Sequence, residues 1–76
     1  MALIRQFVPV PATRRLNQTH TVCEYVIADD DEHGRLLILR TFSTNRRPNS
    51  SPTQVYDLDL AAARELRVIL AAGFGI

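Results

Sequence analysis

The segment Arg35-Leu36-Leu37-Ile38-Leu39-Arg40-Thr41-Phe42 carries apolar side chains on both faces of any strand it forms. Side chains alternate across a strand, so Leu36 and Ile38 cover one face and Leu37 and Leu39 the other. Such a strand is central and must be covered twice. The run from Thr19 to Ala28 alternates as well, with Thr21, Cys23, Tyr25 and Ile27 on one face and Val22, Glu24 and Val26 on the other. Between the two runs, Asp29-Asp30-Asp31-Glu32-His33-Gly34 makes a polar turn, in which Gly34 supplies a positive φ. The pair is expected to form a hairpin.

Covering that hairpin twice is difficult for a chain of 76 residues. A domain this small buries only about 60% of the surface its unfolded chain exposes, and the lone Cys23 permits no internal disulfide. Leu3 to Val8 reads as a first strand, ended by Pro9 and Pro11, followed by a polar loop over Pro9 to Gln18. Ser43 to Thr53 is the most polar stretch and reads as a loop; Gln54 to Leu58 returns to strand. Asp59 is placed to cap a helix over Leu60 to Ala72, with Gly73 as its C′ stop. Ala62, Leu66, Ile69, Leu70 and Phe74 fall on one face of that helix, and Arg64 and Arg67 on the opposite side. The expected architecture is a single α+β domain over residues 1–76, with about four antiparallel strands followed by one C-terminal amphipathic helix. One helix cannot cover both faces of the sheet, so a homodimer is expected.

Catalytic readings find little support. Cys23 could act as a nucleophile with His20 or His33 as base, but its place on the apolar face makes it a buried structural thiol. The acidic turn lacks the interleaved spacing of a calcium loop. There is no P-loop and no Gly-rich phosphate cradle. The expectation is a protein that is not an enzyme, with no cofactor and no metal. The N-terminus lacks the pattern of a signal peptide, and the apolar runs are shorter than the roughly 20 residues of a membrane span. A single cysteine suits a reducing interior, so the expected location is cytoplasmic.

All nine fixed positive charges are arginines, against eight carboxylates, for a net charge of +1. GC-rich codon usage accounts for such a bias, and so does selection for planar forks that grip phosphates and base edges. Position is more informative than the count. Arg46 and Arg47 sit inside the Ser43 to Thr53 loop among hydroxyl and amide groups, with Arg40 just before it. Phe42 and Tyr56 flank the loop at the strand ends. Guanidinium forks beside aromatic rings are the ingredients of single-strand nucleic-acid binding. Arg40, Arg46 and Arg47 are therefore candidates to hold phosphates, with Phe42 and Tyr56 as stacking platforms, in a domain that acts in transcription or DNA handling. The alternative is a protein-interaction module, an accessory or inhibitor subunit without nucleic-acid contact. A small-anion sensor using the same loop is a third possibility.

Leu39-Arg40-Thr41-Phe42-Ser43-Thr44, then Arg47, Thr53-Gln54, the alanine-rich helix and the terminal Gly73-Phe74-Gly75-Ile76 resemble a group of small uncharacterised bacterial proteins. Their pattern is Thr-Tyr-Gly-Ser after a leucine-rich strand, a nearby arginine, Ser-Gln opening the next strand, and a helix ending in Phe-Gly. Phe42 stands for the tyrosine, Ser43 for the glycine and Thr44 for the serine, and the match covers about half of the chain. In architecture, four strands and a helix resemble the positive-cofactor-four and Whirly type of single-stranded-DNA-binding fold. That resemblance implies dimerisation through the helices and strand binding by sheets and β-loops. Those proteins use lysine-rich surfaces, and this chain has no lysine.

Overall fold

The computed structural model describes residues 2–12, 20–42 and 51–76. In chain order the elements are β1 (Ala2–Leu3), β2 (Cys23–Asp30), β3 (Gly34–Thr41), β4 (Gln54–Leu58) and α1 (Leu60–Phe74). They form a four-stranded sheet in the order β1-β4-β3-β2 with one helix at the C-terminus, an α+β arrangement. The doubly apolar strand β3 is central, as its composition requires.

The hairpin is shifted toward its turn relative to its sequence pattern. β2 begins at Cys23 rather than Thr19 and runs on through Asp29 and Asp30, which pair with Arg35 and Gly34. The turn tightens because one carboxylate oxygen of Asp30 accepts from the backbone N–H groups of Glu32 (3.0 Å) and His33 (2.8 Å). Gly34 then takes φ 75°, a conformation that glycine adopts without a Cβ penalty.

The first strand differs most from expectation. Only Ala2 and Leu3 are in strand, and they pair parallel with β4, so the sheet is mixed rather than wholly antiparallel. The backbone N–H of Ile4 donates to the carbonyl of Asp57 at 2.9 Å, and the chain then leaves the ladder. Farther on, the N–H of Phe7 reaches a carboxylate oxygen of Glu65 on α1 at 3.4 Å. Phe7 and Val8 share a recess with Ile69, so this segment follows the helix and does not extend the sheet.

Asp59 caps α1 from extended backbone, its carboxylate accepting from the Ala62 N–H at 2.9 Å. The helix runs through Gly73 to Phe74 and stops at Gly75, two residues beyond the expected glycine. That residue has φ 69° and ψ 31°, and its N–H closes on the Ala71 carbonyl at 2.9 Å. Only a residue at ease in the left-handed region ends a helix this way, and Gly75 serves where Gly73 was expected.

Directly opposed residues share a face of the sheet. One face carries Ile27, Leu37 and Leu58 in a row, then Tyr25, Leu39 and Tyr56, then Cys23, Thr41 and Gln54. The other carries Val26, Ile38 and Asp57, with Glu24, Arg40 and Val55 beside them. Helix α1 lies against the Leu37 and Leu58 end of the first face, where Ala63, Leu66 and Leu70 line a common apolar recess of about 430 Å³. Arg67 also lines this recess, so it does not stand on the side opposite the apolar stripe. Among the described residues the buried apolar ones are few: Leu36, Phe42, Leu58 and Ala62. Cys23 is exposed, not buried, because β2 is the outer strand and the helix does not reach its row.

Candidate nucleic-acid interface

Strand β3 passes out of the sheet at Phe42, and Thr53 brings the chain back beside it. The Thr53 N–H donates to the Thr41 carbonyl at 2.8 Å, and the Thr53 hydroxyl donates to the same carbonyl at 3.1 Å. On the other flank, the Phe42 N–H donates to the Thr21 hydroxyl oxygen at 3.3 Å, while that hydroxyl donates to the Phe42 carbonyl. Two threonines thus fasten the root of the polar loop to β2 on one side and β4 on the other. Each satisfies backbone groups that a strand end leaves without ladder partners.

The proposed site residues part company here. Phe42 is 6% exposed and belongs to the core, so its ring is not an open stacking platform. The alternation that puts Leu36 inward puts Phe42 on the same side. Arg40 is half-buried and lies opposite Glu24 on β2 and Val55 on β4. It therefore projects from the face opposite Tyr56, and the two cannot grip one base and its phosphate together. Tyr56 is half-buried on the helix-bearing face, and its hydroxyl donates to the Gln54 side-chain oxygen. Arg46 and Arg47 lie outside the described residues.

Strand register brings Tyr25 into line with Tyr56. Tyr25 pairs with Leu39, which pairs with Tyr56, so the three form one row across β2, β3 and β4. Tyr25 is 75% exposed. The next row toward the loop is Cys23, Thr41 and Gln54, small or polar side chains that leave the aromatic row open. Alternation along Thr19 to Ala28 already placed Tyr25 on this face; only the pairing shows that it stands in line with Tyr56.

Charge is also divided. Four arginines and no carboxylate occur in residues 13–19 and 43–50, while the remaining residues hold five arginines and all eight carboxylates. The described body is thus net negative, and positive charge is concentrated in two connecting segments. At the hairpin turn, far from Phe42, Asp29 is bound to Arg35 at 3.1 Å in an exposed pair. Asp57 is buried within β4, and among the described residues one of its carboxylate oxygens has no hydrogen-bond partner. Among the described residues no three His, Cys, Asp or Glu side chains gather to hold a metal ion. Among those residues, too, no helix is long and apolar enough to cross a membrane.

No family model, curated protein or solved structure matches this chain.

Proposed function

We propose that this domain binds single-stranded nucleic acid in the cytoplasm and catalyses no reaction, acting in transcription or DNA handling. The observation that carries the reading is the row Tyr25, Leu39 and Tyr56 on the sheet face, with Tyr25 largely exposed to solvent. Bases stack on such rings whatever their sequence, each contributing about 1–3 kcal/mol. Arg46 and Arg47 belong to the connection between β3 and β4 and hold the phosphates in this reading; Arg40, on the far face, contributes only long-range attraction. The division of charge supports it, since the positive connections offset a negative body that would repel a strand elsewhere.

The test is a titration of a fluorescent single-stranded oligonucleotide at low salt. Wild type binds, and the Arg46→Ala, Arg47→Ala double variant binds more weakly with a log–log salt slope flatter by about 1.4, the share of two phosphate contacts. No binding by wild type at low salt ends the proposal.

A second reading, a protein-interaction module, is favoured by one observation. Val68, Ile69, Phe74 and Ile76 are 68, 45, 77 and 81% exposed at the C-terminal end of the chain. Copurification of a protein that survives nuclease treatment would favour this reading.

A further inference from the structure

Among the described residues, strand β2 has a neighbour on one side only. Val22 just before it is 53% exposed, and Tyr25, Val26 and Ile27 around its middle are 75, 39 and 55% exposed, so apolar surface is open on both faces of the edge. Folded monomers blunt such an edge with lysine, proline, a bulge or inward charge. Between Val22 and Ala28 there is no lysine or proline, and pairing with β3 is continuous from Cys23 to Asp30.

We infer that β2 pairs antiparallel with β2 of a second copy of this chain, about a two-fold axis at Val26, joining two sheets into one. Charge selects the direction. Parallel pairing would set Glu24, Asp29 and Asp30 beside the same residues of the partner, whereas antiparallel pairing about Val26 sets Asp29 against the partner's Cys23 and Glu24 against the partner's Ala28. Alternation restricts the register, because a one-residue slip exchanges the faces. With the axis at Val26, Tyr25 meets the partner's Ile27 and Val26 meets the partner's Val26. Shifting the axis to Tyr25 would set Val26 against the partner's Glu24, and shifting it to Ile27 would set Tyr25 against the partner's Asp29. Only the Val26 register keeps all three apolar residues together. About Val26 the strand is its own complement, its apolar residues falling opposite apolar ones and its carboxylates opposite uncharged residues, which is what an isologous contact requires. The surface differs from the helix through which the positive-cofactor-four type dimerises, and the inference does not depend on nucleic-acid binding.

Full-length protein tests it. In this register Cys23 faces the partner's Asp29, and the two Cys23 thiols lie apart. Within one chain, positions 23 and 29 are about 20 Å apart along the strand, too far for a disulfide. Asp29 is an exposed position, so Asp29→Cys perturbs the fold little. Mild oxidation of that variant is expected to give a disulfide-linked dimer on a non-reducing gel, and oxidised wild type is expected to give none. Sedimentation of wild type is expected to return twice the chain mass, and Ile27→Lys is expected to weaken the dimer at least about tenfold. A monomeric wild type, an Ile27→Lys dimer of unchanged affinity, or an Asp29→Cys variant that does not cross-link overturns the inference. Should Ile27→Lys fail to fold, the cross-link alone decides.

Discussion

The two sides of the sheet are built on opposite plans. On the β1 side the edge strand is two residues long, its ladder ends with the Ile4 to Asp57 hydrogen bond, and the chain then turns along the helix. Leu58, 2% exposed, anchors this side beneath α1. On the β2 side an eight-residue strand lies bare, with Tyr25 and Ile27 on one face and Val26 on the other. A short edge followed by proline-containing chain resists strand addition, whereas a long, regular and apolar edge invites it. The closed side carries the buried Leu58, and the open side is where the proposed contacts fall.

Substitutions can break that division, and the largest effect belongs to the closed side. Leu58→Ala is expected to cost about 2–5 kcal/mol, read from urea denaturation, because it removes the side chain wedged between sheet and helix. A loss below about 1 kcal/mol would mean that the closed side is not the anchor. On the open side, Tyr25→Ala should lower oligonucleotide affinity by about 1–3 kcal/mol, roughly the loss of one stacked base; unchanged affinity would move the binding face elsewhere. Asp59→Ala, which removes the acceptor of the Ala62 N–H, should cost about 1 kcal/mol in thermal denaturation. The smallest effect is at the hairpin turn. Asp29→Asn removes an ion pair whose side chains are 76 and 73% exposed, and its cost should stay below about 1 kcal/mol.

The elements set by local signals were legible in the sequence: the hairpin around Gly34, the strand before Asp59, and the capped helix. Each depends on neighbours within a few residues, where alternation, turn chemistry and capping act. The parallel pairing of Ala2 and Leu3 with β4 was not, because it joins residues more than fifty positions apart and leaves no periodic trace in two residues. Gly73 and Gly75 are equivalent stops by composition, and only the closure onto Ala71 distinguishes them. The candidate site was legible in parts. Tyr56 and Arg40 were both found, but their opposite faces follow from the β3–β4 register, in which Arg40 pairs with Val55 and Leu39 with Tyr56. Phe42 looked exposed because it adjoins a polar loop; the Thr21 hydroxyl, twenty-one residues away, holds its backbone so that the ring turns inward.

Amide hydrogen exchange along β2 tests the contrast between the two sides most directly. Those β2 amides that do not bond to β3 point out from the sheet edge. They are expected to be protected in concentrated protein, and to exchange faster as dilution separates the two copies. Outward-facing β2 amides that exchange at the unprotected rate at every concentration would contradict the account.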